Sequence, residues 1–129
     1  MESLLRTALV DWLASDPVLL TRLNAVTEET PARASLPWLG IATSASTDWS
    51  TKTARGREVR VALELQTRGD DPAETSVLTA LIERRIESLP RKQTGFALAS
   101  VTFLRSRAEQ RERNTRAALV EYRFRILEA

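Results

Sequence analysis

Neither cysteine nor histidine occurs among the 129 residues. Without cysteine there is no disulfide staple, no thiolate zinc site and no thiol nucleophile. Without histidine the commonest general base is gone, and with it the Ser-His triad and most transition-metal sites. Glycine is scarce too, with four residues. Neither GxGxxG nor GxxxxGK(S/T) is present to cradle a phosphate. Seven aromatic residues, three of them Trp and one Tyr, make a poor stacking platform for single-stranded nucleic acid. No apolar run approaches the ~18 residues of a membrane-spanning helix, and Met1-Glu2-Ser3 lacks the basic start of a signal peptide. The expectation is a protein that is not an enzyme, holds no metal or cofactor and does not enter a membrane.

What is present reads as one folded domain over residues 1–129. The chain is 43% hydrophobic and 28% charged, ordinary for a globular protein. Surface scaling at this size buries about two-thirds of the chain's surface, enough for one core. The formal charge is only +2, but it is unevenly distributed. Residues 1–31 carry five acids against Arg6 and Arg22. Residues 70–89 carry Asp70, Asp71, Glu74, Glu83 and Glu87 against Arg84 and Arg85, so each segment is net −3. Lys52, Arg55, Arg57 and Arg60 against Glu58 make 51–60 net +3. Five arginines against Glu109 and Glu112 give 105–116 the same charge. Alternating blocks of this kind bear on partners rather than on fold.

Periodicity predicts a helix over 2–14, with Leu5, Leu9 and Leu13 in its apolar stripe. Asp16-Pro17 caps and starts a short second helix carrying Val18, Leu19, Leu20 and Leu23. Residues 24–36 are polar and read as irregular. A strand follows from Trp38 to about Ser46, then a long connection over 46–56. Residues 57–67 alternate cleanly, Val59, Val61, Leu63 and Leu65 opposing Glu58, Arg60, Ala62, Glu64 and Gln66. Asp70-Asp71-Pro72-Ala73-Glu74 starts a helix that Pro90 stops. Strands are predicted from Phe96 to about Arg105 and from Thr115 to about Leu127, the latter with Val120, Tyr122, Phe124 and Ile126 inward. The link 106–114 is Arg-rich. The order α-α-β-β-α-β-β predicts a two-layer α+β domain. Its four-stranded sheet is mainly antiparallel or mixed, and its helices lie on one face.

Two stretches carry candidate contacts. The 46–56 connection holds Asp48, Trp49, Ser50, Thr51, Lys52 and Arg55. There Trp49 is either a binding anchor, as Trp commonly is at interfaces, or a side chain folded back on the core. Arg105, Arg107, Arg111 and Arg113 suit phosphate contact; the other reading is a solvated hairpin blunted by Glu109 and Glu112. Glu83 and Glu87 lie one turn apart beside Arg84 and Arg85, a surface face rather than a metal site.

The chain also resembles a known family over nearly its whole length. The residues that carry this are Leu4-Leu5-x-x-Ala8-Leu9 with Trp12-Leu13 and Asp16-Pro17, then Asp48-Trp49-Ser50-Thr51-Lys52-Thr53 followed by Gly56-Arg57-Glu58 and an alternating strand. The helix at 72–89 and Glu121-Tyr122-Arg123-Phe124-Arg125 complete the pattern. They resemble the small tail-completion, or tail-terminator, proteins of long-tailed bacteriophages and phage-derived gene transfer agents. The resemblance implies a mixed sheet flanked by helices and a homohexameric ring. That ring would cap the head-proximal end of the tail tube, end its polymerisation and join the head connector. Implied partners are other copies of the chain, the tail tube protein, a head-connector or stopper protein, and DNA passing through the lumen without sequence-specific binding. The implied location is the virion or phage-like particle, at the tail end nearest the head, after assembly in the bacterial cytoplasm. Asp48, Trp49, Ser50, Thr51, Lys52 and Arg55 are then candidate subunit or partner contacts, and Arg105, Arg107, Arg111 and Arg113 candidates to face the lumen or DNA. A small nucleic-acid-binding module using the 105–116 hairpin is the alternative.

Overall fold

The computed structural model describes residues 1–31, 35–69 and 71–129. Asp70, read with Asp71 as the helix start, lies outside the described residues, as does the stretch 32–34 of the segment read as irregular. In chain order the elements are α1 (Glu2–Ala14), α2 (Pro17–Arg22), β1 (Ala25–Thr27), β2 (Trp38–Asp48), β3 (Gly56–Arg68), α3 (Pro72–Glu87), β4 (Phe96–Arg111) and β5 (Thr115–Glu128).

The α+β class holds, but the sheet has five strands rather than four, in the spatial order β1-β2-β3-β5-β4. The added strand, β1, pairs parallel with Trp38–Gly40 of β2, within a segment expected to be irregular. Three residues are too few to display an alternation, so their pairing is set by the neighbouring strand. Asn24 holds the entry: its amide N–H donates to the Pro37 carbonyl (2.8 Å) and its side chain to that of Leu36 (2.8 Å). β2 runs two residues beyond its expected end. The larger correction concerns β4, which continues to Arg111 and pairs with β5 down to Arg111↔Thr115. The Arg-rich stretch expected as a link is therefore mostly strand, and the turn is confined to Glu112–Asn114, with Arg113 and Asn114 both at φ 58°. Ion pairs on one face, set out below, replace the apolar alternation by which strands are usually recognised.

Helix starts follow local chemistry. The Asp16 carboxylate accepts from the N–H groups of Val18 (2.8 Å) and Leu19 (3.1 Å), and Asp71 accepts from Ala73 (2.9 Å). Each is followed by proline at the first helical position, whose missing N–H needs no partner there. Only Leu19 of α2 is fully covered; Leu20 stands 66% exposed.

One apolar cluster unites the layers. β3 contributes Val59, Val61, Leu63 and Leu65, and β5 contributes Val120, Tyr122, Phe124 and Ile126. Against this face pack Leu5, Leu9 and Leu13 of α1, Leu19 of α2, and Leu78, Ile82 and Ile86 of α3. All three helices therefore lie on one face of the sheet. α1 and α3 are locked by Arg85, whose guanidinium lies 3.4 Å over the Trp12 ring. Its Nε donates to the Trp12 carbonyl, and Trp12 Nε1 donates to that of Arg85, each at 2.8 Å.

Polar groups at the sheet–helix boundary are paired. The hydroxyls of Thr67 and Thr75 meet at 2.8 Å. Tyr122 donates from its hydroxyl to the Glu87 carboxylate. Burial, that hydrogen bond and the charges of Glu87 and Glu83 push the Tyr122 phenol well above its ordinary value. Burial, then the neighbouring Glu87, raises Glu83. A phenol held protonated in the fold but free to ionise near pH 10 in the unfolded chain stabilises the fold below pH 10 and ceases to do so as pH rises further. Tyr122→Phe is expected to cost about 1 kcal/mol at pH 7 and to lose less stability than the parent between pH 9 and 11, read from urea midpoints. Equal alkaline slopes would sink this assignment.

Candidate functional site

The face of the sheet away from the helices carries no covering element among the described residues. Register assigns to it Glu58, Arg60 and Glu64 of β3, Glu121, Arg123 and Arg125 of β5, and Arg105, Arg107, Glu109 and Arg111 of β4. These charges are arranged in pairs. Arg125 Nε meets Glu58 at 3.0 Å, with Arg123 at 3.8 Å. Arg105 meets Glu121 at 2.9 Å, Arg107 meets Glu109 at 3.0 Å, and Arg111 bridges Glu64 and Glu109 at 3.1 Å each. Three of the four arginines expected to face DNA are thus on strand β4 and already engage carboxylates. The fourth, Arg113, stands at the turn. Arg60 and Arg113 make no ion pair among the described residues.

Cross-strand pairing explains the placement. Opposed residues on one face of antiparallel strands are neighbours, so Arg105↔Glu121 and Glu58↔Arg125 meet directly. Exposed pairs of this kind each contribute little to stability. Their larger effect is to replace a block of +3 with alternating signs.

The second group lies at the opposite end of the sheet, where β2 turns into β3. The connection is shorter than expected, 49–55, and is closed by its own hydrogen bonds. Trp49 N–H donates to the Gly56 carbonyl (2.9 Å) and Thr51 N–H to that of Ala54 (2.8 Å). Ser50 Oγ donates to Asp48 (2.7 Å) and accepts from Gly56 N–H (3.0 Å). Trp49 is half-buried yet is no member of the core cluster. Its ring instead faces Arg125, whose guanidinium lies 5.4 Å from the ring centroid. Lys52 and Arg55 are exposed.

Asp48, Ser50 and Arg55 come together with Glu2, Arg57 and Glu128 around a polar depression of about 280 Å³. Glu2, absent from the sequence-level candidates, ties α1 to the β2 edge by accepting from Ser46 Oγ at 2.6 Å. That hydrogen bond, with Glu2's own backbone N–H, holds its carboxyl down at about 2. Only the first-turn position of Glu2 in the sequence hinted at such a role.

Gly56 is required by close approach. A Cβ there would come within 2.4 Å of the Trp49 carbonyl oxygen and 2.9 Å of Leu127. Because the nearest atom is backbone, the loop must move to admit it. Gly56→Ala is expected to destabilise the chain by roughly 1–3 kcal/mol and to alter Trp49 fluorescence. An unchanged melting temperature and spectrum would contradict that close approach.

A family model described as Tail completion protein gp17 matches residues 7–127. Among solved structures, a chain in the virion of a native gene transfer agent particle aligns with a TM-score of 0.83 at 20% identity, covering 99% of this chain and 97% of that chain. The gp17 protein of bacteriophage SPP1 aligns with a TM-score of 0.62, also at 20% identity, covering 95% and 88%. At such identity the structural likeness concerns the fold. No curated protein matches the sequence.

Proposed function

The chain belongs to the tail completion protein gp17 family and is a non-enzymatic structural protein of a phage-type tail; from that premise we propose that copies of it close into a ring at the head-proximal end of the tail tube. The ring, hexameric by resemblance to lambda-type terminators, ends tube polymerisation and presents its other rim to the head connector or stopper. It works within the virion or particle, at the tail end nearest the head, after assembly in the bacterial cytoplasm.

The observation that carries this reading is the uncovered sheet face, on which four glutamates pair with five of the six arginines. Lining a lumen, such a face meets DNA without gripping it. The guanidinium groups of Arg105 and Arg111 are committed to Glu121, Glu64 and Glu109, and a committed fork gives up its carboxylate before it can clamp a phosphate. Arg113 at the turn adds positive charge at one rim. The group around Asp48, Trp49, Ser50, Thr51, Lys52 and Arg55 sits at the other end and supplies subunit or partner contacts. The chain folds as a single domain over residues 1–129 and brings several such surfaces to the ring.

Particles assembled without the gene test the proposal. Expected are tails of uncontrolled length that fail to join heads, repaired by supplying the chain, with label on the tagged protein at the head–tail junction. Normal tail lengths, or label elsewhere, would overturn it. A nucleic-acid-binding module would instead show sub-micromolar DNA affinity with steep salt dependence.

A further inference from the structure

Both margins of the sheet leave backbone hydrogen-bonding groups without partners. β1 covers only Trp38, Leu39 and Gly40 of β2, so Ala42–Asp48 has an open edge among the described residues. At the other margin the segment around Arg91 covers the start of β4. Its carbonyl accepts from Leu98 N–H (2.7 Å) and its guanidinium donates to the Ala99 carbonyl (2.9 Å). From Ser100 to Arg111 that edge is open among the described residues.

Natural proteins block such edges with proline, lysine or charges aimed along the edge. Neither stretch contains proline or lysine, and Ala42 to Thr47 carries no charge. Four of the polar side chains along these margins are tied back to their own subunit. Ser46 and Ser44 bond to Glu2 and Arg6 of α1. Arg105 turns to Glu121 on β5, and Arg111 reaches Glu64 on β3, two strands inward. Register shifts at 98/100 and 103/105 interrupt β4, which leaves Arg105–Arg111 as its longest regular open stretch. On β2 the regular open stretch after its shift at 41/43 is Thr43–Asp48. The two stretches are seven and six residues long. They also run antiparallel, because three antiparallel pairings separate β2 from β4.

We propose that Thr43–Asp48 of one copy pairs antiparallel with Arg105–Arg111 of the next, making one continuous sheet around the ring. This rests on the ring assembly proposed above. Neighbours meet through two different edges, a heterologous contact that closes by rotation. Within one subunit Thr43–Asp48 lies level with 98–105 of β4. Pairing with 105–111 therefore staggers successive copies, and stagger is what closing a sheet into a cylinder requires. Face matching restricts the pairing to even shifts, and the even register that keeps all six residues of Thr43–Asp48 paired sets Thr43, Ala45 and Thr47, on the open face, opposite Arg111, Glu109 and Arg107. The loop beginning at Trp49 then falls beside Phe103 of the neighbour, a side chain 45% exposed in the single chain.

Cysteine cross-linking tests this without background, because the chain has no cysteine. Ala45→Cys is combined in turn with Arg107→Cys, Glu109→Cys and Arg111→Cys, and rings or particles are oxidised. The Glu109→Cys combination is expected to give a ladder of covalent oligomers ending at the closed ring. Ser44→Pro and Ala45→Pro form a second arm. Adjacent strand residues direct their N–H groups to opposite sides, so one of the two removes an outward donor and leaves the β3 ladder whole. That variant should fold, by its melting temperature, and fail to close rings. Rings seen by native mass spectrometry without cross-links in any combination, or rings from the folded proline variant, overturn the edge pairing and leave the ring reading standing. Absence of rings both in solution and on particles overturns the two together.

Discussion

Phe124→Ala is expected to lower stability by about 3–5 kcal/mol, the largest effect of any single truncation proposed for this chain. Phe124 is fully buried in β5, a central strand. Val59 lies opposite it on one side and Val101 on the other, and the Tyr122 ring stands 6.2 Å away. Neighbours on both sides are held in register by strands, so the cavity cannot collapse. Against a total of about 5–15 kcal/mol for a domain, such a loss, with both taken mid-range, lowers the urea midpoint by roughly 40%. Phe103→Ala is the contrast: its ring contacts Tyr122 edge-on at 5.5 Å from an open margin, and the single chain should lose only about 1 kcal/mol. Comparable urea midpoints for the two variants would mean that the core is not organised around β5.

Trp49→Ala is expected to abolish ring closure while shifting the stability of the single chain by less than about 1 kcal/mol. Its ring contacts Arg125 rather than the apolar cluster, and the hydrogen bonds closing the 49–55 loop come from backbone and hydroxyl groups that the substitution leaves in place. At an interface, an aromatic anchor typically contributes 2 kcal/mol or more, and a closed ring repeats that contact at every junction. The measurement pairs a urea titration of the single chain with native mass spectrometry or electron microscopy of assembled tails. Cooperative loss of folding would place Trp49 in the core; intact rings would remove it from the interface.

Much of this was legible in the residue order. The alternation from Val59 to Leu65 and from Val120 to Ile126 predicts both central strands and their inward faces. Asp16-Pro17 and Asp71-Pro72 mark helix starts because the cap is a local hydrogen bond. Local chemistry fails where pairing is decided from outside. β1 is too short to carry a pattern, and the far half of β4 alternates in charge rather than in hydropathy. Arg105, Arg107, Glu109 and Arg111 interleave with Ser106, Ala108 and Gln110, a period of two that marks a strand once charge is allowed to define a face. The partners of those charges, Glu64 and Glu121, are distant in sequence, so a free +3 block and a paired lattice look alike until the register is known. For the same reason nothing beyond its first-turn position marked Glu2 as the partner of Ser46.

The strand order has one more consequence, for biosynthesis. β5 emerges from the ribosome after β3 and β4, yet it lies between them. Until it arrives, β4 has no strand to pair with, β3 is paired on its β2 side alone, and the apolar cluster lacks Tyr122 and Phe124. Folding thus waits on contacts far apart in sequence, such as Gly56↔Leu127, which favours a slow, all-or-none step. A chain interrupted before β5 leaves β4 without its partner strand, so it lacks one of the two sheet margins of the complete subunit.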